Sequence, residues 1–505
     1  MTVRAGRTAQ GDVLVAIDVG TSGARAAAFD LEGRRLLEVR RPYATSEPRP
    51  GWAEQSAGAW RSASFSSLAA LVRKLGRRQR VLAISMTGQC PSVVLVDAKG
   101  RPIEPGLTYR DNRATAEAEA MRERFGDSAI HDRTGHTPAA FHIAPKLLWL
   151  RRHEPSAWRR AVLALQPRDL VALALTGEAV TDGTHAAATL LYDLRARRWD
   201  EAQLAALDLS PGLLPRIARS DEVVGTLRPQ IAARLGLPQS TPVVLGGADS
   251  QACAFGAGVI ATGPVSEMAG SSTCLNAVVA VPLDVLDVTH YPHVVGEAFT
   301  TETGINTTGA AIAWVADRLY GGRRGRAGTA AYTRLDGDAA GVAVGADGLR
   351  FVPVLGGGER TDAALRGAIT GLSLRHDRGA VARAAMEGVA FAIRAQLELL
   401  RTGGTPVSEL RISGGDTRLA TWNRIKADVT GLTVRTVPGD AATVGVAMLA
   451  GLGVGVYRNP ADAIARCVRL DAPIEPDPTT TRAYDAAYES YRALVDSAVV
   501  RREGG

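Results

Sequence analysis

One pattern occurs twice in this chain and constrains the fold more than any other. Near the start, "VLVAIDVGTSGARAAAFD" is an apolar run ending on Asp18, a turn of small polar residues, and a second apolar run. Midway, "GPVSEMAGSSTCLNAVVA" repeats the design around Gly270-Ser271-Ser272-Thr273. Such runs bounded by small-residue turns read as buried strands paired in a hairpin. Each hairpin heads one half of the chain. Alanine-rich helical stretches follow from Ser56, and further strands end near Thr87, at Gly246-Gly247 before Asp249, and at Gly414-Gly415. The expectation is an α/β protein with a loose extension over 1–12, one domain over 13–260 and a similar one over 261–505. A chain of 505 residues exceeds what one ordinary core holds. No low-complexity linker separates the halves, which favours domains hinged over a shared cleft.

The net charge of +7 narrows the partners, because it comes almost wholly from arginine, with only four lysines. Pairs such as Arg34-Arg35, Arg77-Arg78 and Arg323-Arg324 are dispersed, with few aromatics between them. A nucleic-acid groove gathers its cations with stacking rings, so no nucleic-acid partner is expected. Cys90, Cys253, Cys274 and Cys467 have neither redox nor zinc spacing and read as reduced thiols. No run is apolar enough to span a membrane and "MTVRAGRTAQGD" has no leader-like core, so a cytoplasmic protein without a membrane partner is expected.

Glycine- and hydroxyl-rich turns after buried strands bare peptide N–H groups, the geometry that grips phosphate oxygens. Three such turns stand at 20–23, 270–273 and 414–415. No Gly-Lys-Ser/Thr, kinase-type His-Arg-Asp or Gly-x-Gly-x-x-Gly after the first strand is present, which leaves hairpin turns between two domains to hold ATP. Asp18 then sits where a carboxylate holds Mg²⁺ against phosphates. Asp249 sits where a base can accept the proton of an attacking hydroxyl, although alone it equally reads as the cap of the helix that follows. His290 and His293 lack the companions of a metal site, and Trp52 and Trp149 read as core or lid residues.

These segments, in order over about 13–495, resemble the FGGY carbohydrate kinases of the actin-like (ribonuclease H-like) ATPase superfold, most closely the xylulose kinase branch. "IDVGTSGARAAAFD" is similar to the first phosphate hairpin, and "GQ" at 88–89 and "YRDNRA" at 109–114 to the sugar-site segments. "APKLLWLRRHEP" resembles the first signature, "GGADSQACAFGAG" the catalytic segment and "GSS" the second phosphate turn. "LGGGERTD" at 355–362, "GAITGLSLRHDRGAVARAAMEGV" and "SGGDTRLATWNRIKADVTG" follow in family order, the last resembling the adenosine-binding segment.

The resemblance implies two actin-like domains around a cleft and transfer of phosphate from Mg²⁺-ATP to a small sugar or polyol. Asp249 would be the general base; Asp18 and Asp249 would serve the metal. Asp18, Gly20, Thr21, Ser22, Gly270, Ser271, Ser272, Gly414 and Gly415 would hold ATP. Gln89, Cys90, Tyr109, Asp111, Asp249 and Ser250 would meet the sugar. A ketopentose such as D-xylulose is the leading acceptor, ahead of ribulose, a tetritol, a heptulose or an aldonate. A non-catalytic actin-like nucleotide-binding protein is the rival, and a homodimer is an assembly compatible with the reading.

Three departures bear on the acceptor and the nucleotide. The branch usually has Gly-Gln-Met-His where this chain has Gly88-Gln89-Cys90-Pro91, so a sugar hydroxyl loses its histidine partner. Tyr109-Arg110-Asp111 replaces Trp-Asn-Asp and brings a cation towards the expected sugar site. Asp416 replaces the last glycine of the adenosine turn, and Ser271 a threonine, both compatible with ATP use.

Overall fold

The computed structural model describes residues 11–321, 328–359, 362 and 364–497. Most of the expected N-terminal extension, the Arg323-Arg324 pair and Arg360-Thr361 of the "GERTD" stretch lie outside the described residues. Asp12 already belongs to the first strand, where its carboxylate pairs with Arg80 at 2.9 Å.

The chain forms two compact units. The first comprises Met1–Ile260, Ala280–Thr300 and Ala441–Val468; the second comprises Ala261–Val279, Thr301–Asp440 and Arg469–Gly505. The second half of the sequence therefore contributes to both.

In the first unit one mixed sheet runs in the order Val223–Thr226, Pro242–Val244, Arg80–Gly88, Asp12–Gly20, Gly23–Phe29, Arg35–Pro42. Asp12–Gly20 is parallel to Arg80–Gly88 and antiparallel to Gly23–Phe29. The two apolar runs around the first turn fall inside Asp12–Gly20 and Gly23–Phe29. Val13, Val15, Ile17 and Val19 face one core with Trp60 and Leu68 of the helix Ala57–Leu75, which Ser56 caps. Leu14 and Ala16 face the other core, with Phe255, Val446 and Met448. A strand buried on both faces is apolar at nearly every position, as this one is.

The second unit repeats the arrangement. Gly263–Ala269 is antiparallel to Thr273–Val279 and parallel to Val407–Gly414, which is parallel in turn to Thr433–Thr436. Two hairpins, each flanked by a parallel strand, are the structural counterpart of the repeated sequence pattern.

Close packing explains why Ala441–Gly453 joins the first unit. A β-carbon on Gly256 would lie 1.8 Å from the Ala441 carbonyl, and one on Gly445 2.0 Å from the Ala252 carbonyl. Two helices crossing at glycines bring their backbones together, which clamps Asp249–Gly256 from behind.

Several histidines are buried in the first unit. His293 donates from Nε2 to the Val259 carbonyl at 3.0 Å and accepts the Val295 N–H at Nδ1 at 3.1 Å, and His290 bonds the Leu283 carbonyl at 3.0 Å. Burial pushes His290 down to about 3, and lowers His293 and, far more, His136. An unfolded histidine binds a proton as pH falls through about 6.5, whereas these stay neutral, so the unfolded state gains protons and stability falls with pH. His136 and His290 together are expected to remove roughly 3 kcal/mol between pH 7.5 and pH 5.5. Urea midpoints measured at the two pH values check this; an unchanged midpoint contradicts it.

Candidate active site

The two-residue loop Thr21-Ser22 fixes the hairpin register and sets Asp18 opposite Arg25. Arg25 Nε donates to Asp18 Oδ2 at 2.8 Å. Asp18 is buried while Arg25 is partly open, so a carboxylate and a guanidinium stand together beside the turn. Sequence reading missed Arg25, although the loop length and the strand register were enough to find it. The turn itself is held by Tyr43, whose hydroxyl donates to the Gly20 carbonyl at 2.5 Å, and by Gln55, whose amide donates to the Thr21 carbonyl at 2.6 Å. Burial, reinforced by the charge of Asp18, pushes the Tyr43 phenol far up, so it stays a donor. Arg40 donates to the Ser22 hydroxyl and adds a second cation.

Both carboxylate oxygens of Asp18 lie within 3.6 Å of where a β-carbon on Gly20 would stand, so the glycine keeps the space over the carboxylate clear. A hard dication wants oxygen donors next to phosphate, and this turn offers a carboxylate and hydroxyls in that setting. The residues fit Mg²⁺.

Two of the expected sugar-site residues are engaged within the protein. Gln89 has 1% of its surface exposed, and its amide is consumed internally: Nε2 donates to Gln55 Oε1 at 2.8 Å and Oε1 accepts from Ser92 at 3.3 Å. It ties the end of Arg80–Gly88 to the hairpin turn. Asp111 is fully buried, with Arg113 donating to its two oxygens at 2.8 Å each and the Ala53 N–H adding 2.7 Å. Arg113 lies 3.7 Å over the Trp52 ring, which meets Trp149 edge-on; Trp149 is a core residue and half-buried Trp52 packs against that core. Arg110 turns away to Glu47 at 3.0 Å on the surface. Cys90 and Tyr109 remain half-buried.

Lys146, in the helix Ile143–His153, is fully buried and donates to the carbonyls of Thr108 at 2.7 Å and Phe141 at 2.6 Å. Burial pushes its ammonium down to about 7, against the pull of Asp111. It fastens the segment before its own helix to the one that carries Tyr109. Neither periodicity nor spacing marks it; its signals were its place in the segment that resembles the first family signature and its rarity in an arginine-rich chain.

Asp249 is the first residue of Asp249–Gly256, and its Oδ1 accepts from the Ser250 N–H at 2.9 Å. The cap position belongs to Ala248, so Asp249 is not the cap. Its side chain is half-buried and Ser250 is buried. The loop in front is immobilised on all sides. Gly246 has φ +79°, and a β-carbon there would meet the Met86 carbonyl at 1.8 Å. Thr87 donates to the Gly247 carbonyl at 2.7 Å, Arg168 to those of Leu245 and Gly246 at 2.9 and 3.1 Å, and the Ala248 N–H to Thr184 at 2.8 Å. Asp182 joins the last two, accepting from Arg168 at 2.7 Å and Thr184 at 2.6 Å. Burial opposes its ionisation, but the Arg168 guanidinium and the His185 bond hold its carboxyl well below the ordinary range. This network was not read from the sequence, because Arg168 and Thr184 lie 64 to 78 positions from the loop groups they bond.

In the second unit the Ser271 carbonyl accepts from the N–H groups of Thr308 and Ala310 at 3.0 and 3.1 Å, docking the turn on the start of Gly309–Leu319. Gly270 and Ser271 are exposed and Ser272 is half-exposed. Gly414 pairs with Ala269 on the neighbouring strand, so the turns at 270–272 and 414–415 leave adjacent strands side by side. A β-carbon on Gly415 would meet nothing within 4 Å, leaving a flat approach for a ligand. Beneath it, Lys426 donates to Glu267 at 2.5 Å and Asp416 at 3.1 Å, all three buried. Burial works against the charge of Lys426, but the two carboxylates hold its ammonium above the ordinary range.

The N-terminal domain of the FGGY family of carbohydrate kinases matches residues 13–256, and the C-terminal domain of the same family matches residues 266–454. The chain belongs to the FGGY carbohydrate kinases. It is therefore an enzyme of the xylulokinase-like carbohydrate kinase class, built on the actin-like α/β fold of that family. Xylulose kinase of Bacillus subtilis (strain 168) is 27% identical over 488 residues, covering 95% of this chain and 96% of that protein. Autoinducer-2 kinase of Salmonella typhimurium (strain LT2) is 29% identical over 516 residues, covering 97% and 96%. The crystal structure of xylulose kinase from Rhodospirillum rubrum superposes with a TM-score of 0.88 at 31% identity, covering 95% of this chain and 98% of that one. Among the described residues no helix is long and apolar enough to cross a membrane.

Proposed function

We propose that this FGGY kinase transfers the γ-phosphoryl group of ATP to a hydroxyl of a small ketose, with D-xylulose as the leading acceptor. One observation carries the reading: Asp249 stands half-buried on a loop that a buried Arg168–Asp182–Thr184 network holds rigid. A general base needs fixed geometry more than an extreme pKa, and this loop supplies it. Asp249 takes the proton of the acceptor hydroxyl as its oxygen attacks the γ-phosphorus, and ADP departs in line. Thr21, Ser22, Ser271 and Ser272 offer hydroxyls and N–H groups to phosphate oxygens, with Arg25 and Arg40 countering their charge. Asp18 would hold Mg²⁺, assisted by Asp249, and the ion would neutralise phosphate charge. Gly414 and Gly415 would pass the adenosine. Cys90, Tyr109 and Ser250 remain candidate sugar contacts, whereas Gln89 and Asp111 act from behind as positioning residues. Four cysteines with neither redox nor zinc spacing suit a cytoplasmic enzyme.

A second acceptor reading is favoured by Pro91 and by the relative named for autoinducer-2. An ADP-release screen over ketoses, polyols and aldonates decides between them. Saturable turnover with xylulose is the expected result; saturation by another acceptor alone replaces the substrate, and silence on every acceptor sinks the kinase reading.

A further inference from the structure

A cavity of about 730 Å³ opens in the first unit between the helices Ala57–Leu75, Pro167–Thr176 and Pro229–Leu235. It shares no residue with the candidate active site. Phe65, Leu163, Leu173 and Ile231, buried or half-buried, give it an apolar floor. Lys99, Arg228 and Arg234, all exposed, and half-buried Arg61 bring four cations to its rim.

Nothing in the protein balances that charge. Among the described residues none of the four cations has a carboxylate partner, and Arg228 meets only the neutral Gln230 amide oxygen, at 3.1 and 3.2 Å. The carboxylate in the lining, Asp97, is spent inside its own turn. It accepts from Arg101 Nε at 2.8 Å and from the N–H groups of Lys99 and Arg101 at 2.9 Å each. A β-carbon on Gly100 would meet Leu173 at 3.1 Å, so the turn rests on the helix and keeps Lys99 at the rim. Like charges gathered around an apolar hollow repel one another and focus their field into it. A hollow of this size is in the range that holds a small organic ligand.

We propose that this cavity is a second nucleotide site, taking a nucleoside di- or triphosphate. The base covers the floor of Phe65, Leu163, Leu173 and Ile231, and the phosphates meet Arg61, Lys99, Arg228 and Arg234. Guanidinium groups suit phosphate because their N–H pairs match its oxygens. Inorganic phosphate or a sugar phosphate leaves the apolar floor uncovered, and a fatty acid brings a single charge to four cations. A nucleotide matches both parts. The site does not depend on the sugar kinase reading above.

Calorimetric titration of ADP into wild type and into the double variant Arg228→Gln/Arg234→Gln tests it. Both changes fall on exposed side chains outside the candidate active site, so fold and turnover should persist. Wild type should bind two equivalents of ADP. The double variant should keep one of them unchanged and bind the other more weakly by roughly tenfold or more. In wild type, ADP should also slow backbone amide exchange in the peptides that carry Lys99 and Arg234, read by mass; this measurement needs no variant to fold. Adenosine and tripolyphosphate, given separately, should each bind there more weakly than ADP by roughly tenfold or more, because each uses half of the site. A single equivalent in wild type, two undiminished equivalents in the double variant, or exchange in those peptides indifferent to ADP overturns the inference and leaves the kinase reading standing. Tripolyphosphate as tight as ADP marks an adventitious ion only and overturns it too. If wild type binds no ADP at all, both fall.

Discussion

Replacing Asp249 with asparagine is expected to lower kcat on the acceptor sugar by roughly 10²–10⁴-fold, the usual contribution of a positioned general base. The change is nearly isosteric, and the asparagine carbonyl oxygen can still accept from the Ser250 N–H that Asp249 Oδ1 now engages at 2.9 Å. The loop in front is held by Thr87, Thr184 and Arg168 through its backbone groups. Folding and nucleotide binding should therefore persist while proton transfer fails. ADP release and nucleotide titration on the same preparation separate the two. A variant that keeps wild-type turnover removes Asp249 from the mechanism.

Lys426→Met should cost about 3–5 kcal/mol of stability, because it strands two buried carboxylates that share one cation. For a unit of this size that corresponds to a melting temperature lower by roughly 6–20 °C in thermal denaturation. Burial already pushes the Glu267 carboxyl up, so without Lys426 it takes a proton, which limits the loss but does not abolish it. Pairing the change with Glu267→Leu should recover much of the stability, since apolar replacement of a buried ion pair is often neutral or better. A single variant that melts like wild type would show that the pair contributes nothing. The residues lie directly under the turn at 414–415, so the KM for ATP should rise in the single variant as well.

Much of the site was legible in the sequence, and the reasons are local. Asp18 near the end of Asp12–Gly20, Asp249 at the head of its helix, and the turns at 20–23, 270–273 and 414–415 stand where the apolar runs and small residues put them. Such features are set within a few residues by backbone sterics and side-chain alternation. The orientation of Gln89 and Asp111 was not legible. Both lie in segments that resemble sugar-site motifs, yet one spends its amide on Gln55 and the other its carboxylate on Arg113. Motif resemblance places a residue in a neighbourhood, but its hydrogen-bond partners decide which way it faces.

The sequence alone determined the two hairpins, their phosphate-type turns and the two aspartates, because each depends on contacts between near neighbours. Tertiary structure alone decided that Ala441–Gly453 clamps the Asp249 helix from behind, that Arg168 and Asp182 fix its loop, and that Lys426 joins Glu267 across 159 positions. Those pairings rest on close packing and on the high cost of leaving a buried charge unmatched. Neither leaves a periodic trace along the chain, so only the folded molecule shows which distant residues meet.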